Sequence, residues 1–192
     1  MAAPPAHKPP PPMPPPIHIR EAAPGDEGAL ALIGAATFLE SIAGVLDGGD
    51  ILAHCQWQHA PHVYAAWLAD TRYKIWLALA EPGEAPVGYL VLGPAELPLA
   101  DLSADDWEVK RVYVLGRFQR AGCGRSLMQL AKAAASRRGG RRLLLGVYSQ
   151  NDRAIEFYRR EGFAAVGTRT FQVGQHQYHD LILATPLPAI NA

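Results

Sequence analysis

Between an apolar run at residues 107–115 and an amphipathic stretch at 123–138 stands Gln119-Arg120-Ala121-Gly122-Cys123-Gly124. The first run has the length and content of a strand. In the second, Leu127, Leu130, Ala131 and Ala134 recur at i, i+3, i+4 and i+7, the spacing of one helical face. A glycine loop that ends a strand and opens a helix constrains this chain more than any other feature. It leaves the N–H groups of the first helical turn without intrahelical partners, and the helix dipole favours negative charge beside them. A pyrophosphate is the natural occupant of such a place. Two common versions are excluded. A Walker loop needs Gly-Lys-Ser/Thr, and no Gly-Lys occurs. A dinucleotide-binding turn needs glycine at position 127, which is Leu127, and an acidic residue closing the next strand, where Val147-Tyr148 stands.

The elements around the loop follow from periodicity and turn chemistry. Ile17-His18-Ile19-Arg20 alternates as a half-buried strand does. Leu30, Ile33, Thr37 and Phe38 predict a helix over 25–39, and residues 47–69 carry one or two helical pieces broken at Pro61. Residues 73–80 and 87–92 read as a hairpin turning at Glu81-Pro82-Gly83-Glu84, and 94–105 as a polar loop. Arg137, Arg138, Arg141 and Arg142 read as a solvated turn. Leu143-Leu144-Leu145-Gly146-Val147 has the run of a strand buried on both faces. Residues 151–161 are a helix capped by Ser149 or Gln150 and ended by Gly162. Residues 163–171 and 176–184 are two final strands joined at Gly174. The order predicts an α/β or α+β chain with a mixed sheet, whose strand–helix–strand middle is a right-handed crossover.

Composition bounds what this fold can do. Lys and Arg number 18, as do Asp and Glu, which argues against a general nucleic-acid binder. No run of 18 uncharged apolar residues occurs and no apolar leader opens the chain, so no membrane partner and a cytoplasmic location are expected. A chain of 192 residues buries about 70% of its unfolded surface without disulfide help. Its two cysteines, Cys55 and Cys123, make neither a disulfide framework nor a zinc ribbon. His54, His59 and His62 are too irregularly spaced for a metal site, so no metal is expected. Residues 1–16 hold nine of the seventeen prolines and read as a disordered or polyproline-like tail, either inert or a docking segment, before one folded domain at 17–188.

One strand beyond the loop comes Asn151-Asp152-Arg153-Ala154-Ile155-Glu156-Phe157-Tyr158-Arg159-Arg160-Glu161-Gly162-Phe163. With Gln119 to Gly124, and with Arg111-Val112-Tyr113-Val114 before it, this segment resembles the acyl-coenzyme-A-binding half of the GNAT superfamily of N-acetyltransferases. The likeness covers roughly 106–171; the first hundred residues follow the family's element order loosely. Arg120 stands where the family often has glycine and Cys123 where it has a branched aliphatic, and neither change removes a backbone amide. The resemblance implies a GNAT-like mixed, mostly antiparallel sheet of six to seven strands flanked by about four helices. It implies acetyl-CoA as cosubstrate and a small-molecule or protein amine as acceptor, and it leaves a homodimer open. The pyrophosphate would sit on the amides of the Ala121-Gly122-Cys123-Gly124-Arg125 turn, beside the side chains of Gln119, Arg120 and Arg125. The pantetheine arm would bond the backbone of Val112 and Val114, and one N–H there would polarise the thioester carbonyl.

The remaining chemistry needs an acid and a base. Asn151 and Tyr158 are seven residues apart, two helical turns or about 10 Å, with small Ala154 between them. Asn151 is expected to hold the pantetheine amide and Tyr158 to protonate the leaving thiolate, since phenol and thiol pKa values lie near 10 and 8.5. The competing reading of Tyr158 is a packed aromatic. The acceptor arrives as an ammonium and must lose a proton to a carboxylate. Glu108 is the candidate base, because period two puts Glu108, Lys110, Val112 and Val114 on one strand face unless a bulge intervenes. Asp106 and Asp180 are reserves. Cys123 is expected as a small buried residue rather than a reactive thiol. Trp57, Tyr64 and Trp67 are expected to pack the N-terminal helices, some of them lining the acceptor pocket. The function expected is acetyl transfer to a primary amine by direct attack in a ternary complex. The alternative is a non-catalytic acyl-CoA sensor or scaffold.

Overall fold

The computed structural model describes residues 15–119, 121–173 and 176–188. Residues 1–14 of the proline-rich stretch and the turn at Gly174 lie outside them. Strands β1 (Ile17–Glu21), β2 (Lys74–Ala80), β3 (Ala85–Pro94) and β4 (Asp106–Val114) pair in succession, each antiparallel to the last. β5 (Arg142–Tyr148) joins β4 in parallel. β7 (His176–Pro186) lies between β5 and β6 (Ala164–Val173), antiparallel to both. The sheet is therefore seven-stranded, in the order β1-β2-β3-β4-β5-β7-β6, with one parallel junction, as the sequence pattern predicts.

Five α-helices stand among the described residues: α1 (Glu27–Ile42), α2 (Gly48–Gln58), α3 (Pro61–Ala69), α4 (Cys123–Arg137) and α5 (Asp152–Arg160). About four were expected. The extra one arises because Pro61 starts α3 rather than merely interrupting a helix; at a first helical position its missing N–H costs nothing. The strand runs are apolar without alternation because both sheet faces are covered. Ala78, Leu90, Leu92, Leu143 and Leu145 pack with Leu127, Met128 and Ala131 of α4. Ile75, Leu77, Leu79, Tyr89 and Val91 pack with Leu30 and Ile33 of α1 and Tyr64 of α3.

Two segments differ from expectation. The 94–105 loop carries an apolar plug: Leu97 is buried and packs with Leu144, Ile182 and Ala184. The basic turn is exposed at Arg137, Arg138 and Arg141, as expected, but it is also tied down. Arg141 and Arg142 reach the Asp106 carboxylate at 3.2 and 2.9 Å, and Arg138 donates to the carbonyls of Thr71 and Arg72. Burial alone would raise the Asp106 carboxyl, but the two guanidinium groups outweigh it and hold it below the usual range. Asp106 is thereby spent on structure.

The helical layer of α1–α3 closes over the sheet around a buried polar cluster. His59 is 5% exposed, and its Nδ1 lies 2.8 Å from the Tyr64 hydroxyl, itself 3.3 Å from that of Tyr89. Arg111 Nη1 donates to the Tyr64 oxygen at 2.9 Å and lies 3.3 Å from His59 Nδ1. A guanidinium only donates, so Nδ1 acts as acceptor and the neutral Nε2–H tautomer fits. Burial first, then the charge of Arg111, pushes the His59 imidazole down to about 3. Gly34 of α1 makes room for this cluster: a Cβ there would overlap the Tyr64 hydroxyl and His59 Nδ1.

Gly34→Ala should therefore lose about 1–3 kcal/mol by overpacking, more than the at most about 1 kcal/mol that alanine gains in a helix. Gly28→Ala on the same helix meets nothing within 4 Å and should be neutral or slightly stabilising; urea midpoints compare the two. The His59 cluster also sets a pH dependence. A folded-state pKa below the unfolded value of about 6.5 means that the unfolded chain binds the extra proton. The cluster's stability is present above pH 6.5 and lost as the pH falls toward 3, with His54, also lowered by burial, acting in the same direction. His59→Gln should flatten the fall in urea midpoint between pH 6.5 and 5, and an unaltered slope would refute a neutral buried His59.

Candidate active site

β4 and β5 bond each other only at Asp106↔Arg142, Trp107↔Leu143 and Glu108↔Leu144. Beyond Glu108 they part, although β4 runs on to Val114 and β5 to Tyr148. The Leu115 N–H bonds Val87 O at 2.9 Å, which sets the alternation along the β3 edge. Leu115 and Tyr113 turn their main-chain groups toward β3, and Val112 and Val114 turn theirs into the opening. At its mouth Gln119 Nε2 donates to Val114 O at 2.8 Å.

The expected period-two face of β4 is broken. β3 pairs Val91 with Arg111 and Leu92 with Val109, so Lys110 is an extra residue on β4. After this bulge Val109, Val112 and Val114 share the α4 side, whereas Arg111 and Tyr113 face α1 and α3. Glu108 sits opposite its neighbours Trp107 and Val109 and so does not share a face with Val112 and Val114. It lies at the apex of the split and is 6% exposed. Its Oε2 accepts from Glu96 N and from Lys110 Nζ, both at 2.9 Å. Asp180 is held by Arg169 Nε at 3.0 Å.

The loop to α4 is positioned by a short 3₁₀ turn, Gly116–Phe118, whose Gly116 N–H donates to Glu40 Oε2 at 2.9 Å. Gly122 adopts φ 80°, a left-handed conformation that favours glycine, and no side chain among the described residues caps α4. The N–H groups of Cys123, Gly124 and Arg125 therefore face outward at the helix start. Ala121 and Gly122 are exposed beside them. The side chains are employed otherwise: Gln119 latches Val114, and Arg125 Nε donates to Glu161 at 3.0 Å. Arg120 lies outside the described residues. Cys123 is buried, and burial pushes its thiol up to about 11, the behaviour of a packing residue.

α5 meets α4 where Phe157 approaches Gly124, a contact a Cβ there would make at 3.6 Å. Asn151, not Ser149 or Gln150, is the cap: its Oδ1 accepts from Ala154 N at 3.1 Å, leaving its amide N–H groups as donors. Tyr158 is 8% exposed, edge-on to Phe157 and Phe163 at 5.3 and 5.9 Å. Burial, with Tyr113 adding, raises its phenol above the ordinary range, so the hydroxyl stays protonated at neutral pH. Tyr64 and Trp67 pack edge to face as expected, but Trp57 is 72% exposed. Arg111 and Tyr113 lay in the strand quoted above without an assigned role, because only the bulge shows which way they face. Among the described residues no three His, Cys, Asp or Glu side chains gather as a metal site, and no helix is long and apolar enough to cross a membrane.

Comparison with known proteins agrees with this geometry. Residues 47–163, more than half of the chain, match the model of the acetyltransferase (GNAT) family. An uncharacterized N-acetyltransferase of Mycobacterium tuberculosis is 33% identical over 126 residues, covering 65% of this chain and 74% of that one. An uncharacterized N-acetyltransferase of Lactobacillus delbrueckii is 27% identical over 100 residues, 52% of this chain and 58% of the relative. Among solved structures, the PaiA N-acetyltransferase of Thermoplasma acidophilum in complex with coenzyme A superposes with a TM-score of 0.73 at 18% identity, over 88% of this chain and 98% of that one. The ribosomal-protein-S18-alanine N-acetyltransferase of Escherichia coli gives 0.61 at 18% identity, over 92% and 96%. A split parallel junction, an uncapped helix behind a left-handed glycine and a family match across both thus lead to one assignment: the chain belongs to the GNAT acetyltransferase family and is an acyltransferase.

Proposed function

We propose that this enzyme transfers an acetyl group from acetyl-CoA to a primary amine by direct attack in a ternary complex. The observation that carries the reading is the continuity of unpaired main-chain donors. The inward N–H groups of Val112 and Val114 lead along β4 to the uncapped N–H groups of Cys123, Gly124 and Arg125. Such a path suits a long, phosphate-bearing, amide-rich molecule, and the Thermoplasma neighbour is in complex with coenzyme A. The coenzyme supplies an activated thioester; the protein supplies position and proton management. The helix start of α4 holds the pyrophosphate, while the β4 edge and the Asn151 amide align the arm. A main-chain N–H beside the bulge polarises the carbonyl.

Glu108, at the apex of the split, takes the proton from the incoming ammonium. Its Oε1 accepts no bond among the described residues. The amine then forms the N–C bond as the C–S bond breaks; Tyr158 gives its proton to the sulfur, and the proton shed by the attacking nitrogen restores the phenol. A phenol that stays protonated until charge develops beside it suits that task. The buried thiol of Cys123 offers no covalent route.

Tyr158→Phe should lower kcat by about 10²-fold or more while calorimetric affinity for acetyl-CoA is unchanged; full turnover in this variant would remove Tyr158 as the acid. Glu108→Gln should depress the rate at neutral pH and recover it toward alkaline pH, where the amine loses its proton unaided. A pH–rate profile that does not move would pass the base role to Asp180.

A further inference from the structure

We propose that Arg111 binds a carboxylate on the acceptor, so that the amine acetylated is that of an amino acid or of a chain bearing a carboxylate near it. The inference rests on the acetyltransferase reading and specifies its acceptor. Arg111 follows the bulge and precedes Val112, whose main chain lines the opening, and its side chain leaves on the face away from α4. Its guanidinium is fixed in place. It lies 4.8 Å from the Trp67 ring centroid and 5.4 Å from that of Tyr64. Nη1 donates to Tyr64, and Nη2 donates to Gln58 Oε1 at 3.3 Å.

Every one of these partners is neutral, including His59. Among the described residues no carboxylate pairs with Arg111, and none accepts from its Nε. Nε–H shares an edge of the fork with one Nη2 N–H, and that edge matches the two oxygens of a carboxylate. The other cations nearby are compensated. Arg169, which like Arg111 acts on Tyr113, is bonded to Asp180, and Lys110 is bonded to Glu108 and Glu96. Tyr113, two residues beyond Arg111 on the same face of β4, stacks on Tyr89 at 5.9 Å. A single uncompensated positive charge there fits a monoanion and opposes a polycation.

The test uses matched pairs, each an amino acid and the amine left when its carboxylate is removed: leucine and isopentylamine, phenylalanine and phenethylamine, lysine and cadaverine. The wild-type enzyme should favour the amino acid by at least about tenfold in kcat/KM, the advantage of a charge-assisted bidentate contact. In Arg111→Lys and Arg111→Met the preference should shrink to about twofold, mainly through KM, with the shape of the pH–rate profile unchanged. Phosphoethanolamine against ethanolamine separates a phosphate preference from a carboxylate one, and a preference for phosphate alone overturns the proposal. A readout free of turnover accompanies these: calorimetric binding of N-acetylphenylalanine against N-acetylphenethylamine to the wild-type protein. Equal binding of the two, or a preference that persists in both folded variants, overturns the carboxylate site. Absence of heat on titrating acetyl-CoA instead sinks the acetyltransferase reading itself.

Discussion

Every part of the site depends on where β4 and β5 stop bonding each other. Three residue pairs join them, and past Glu108 and Leu144 the two strands separate. β5 can leave because its other edge is fully engaged: it pairs with β7 from Arg142↔Pro186 to Tyr148↔Asp180. β4 is likewise held by β3 to its end. Neither strand is destabilised by the split, yet each is left with one open edge facing the other. Buried main-chain groups need partners, and Gln119 satisfies only the Val114 carbonyl. The rest of that edge is a template for something that bonds like a strand.

The two helices beyond the opening are fastened to each other by side chains. Arg125 crosses to Glu161, which Lys132 also approaches at 3.7 Å, and Phe157 packs on Gly124. On the proposed reading, anion binding falls to the main chain of α4, where no rotamer entropy is lost on binding and the geometry is set by the helix itself. The opposite face of β4 follows different electrostatics. On β4 itself Lys110 is paired with Glu108, and on β6 and β7 Arg169 is paired with Asp180, while Arg111 is held by neutral rings and hydroxyls. One strand thus carries open main-chain donors on its free edge and a side-chain cation on one face, and the bulge at Lys110 sets which side chain takes that face.

The half of the chain around the loop was legible because its signals are local. Helical periodicity from Leu127 to Ala134, a glycine at a left-handed position and a strand before it need no distant partner to be read. The segment at 151–163 was legible as a helix for the same reason. The misreadings concern residues whose state is set by something far away in the chain. The 94–105 loop reads as polar until Ile182 is placed beneath Leu97, and the exposed arginine turn shows no ion pair until Asp106 is brought to it. Trp57 was expected to pack the N-terminal helices, yet among the described residues it is left 72% exposed. The cap of α5 was missed by one or two positions, the scale on which turn geometry overrides residue preference.

The sequence by itself determined the order of elements, the uncapped start of α4 and the helix after it that carries Tyr158, because each depends on interactions within about two turns of chain. Tertiary structure alone decided that β4 and β5 part after Glu108, that Lys110 bulges out, and that Arg111 rather than Val112 faces the helices of the N-terminal half. A one-residue bulge exchanges the two faces of a strand, and its cause lies in the register of a neighbouring strand, which no local pattern of side chains records.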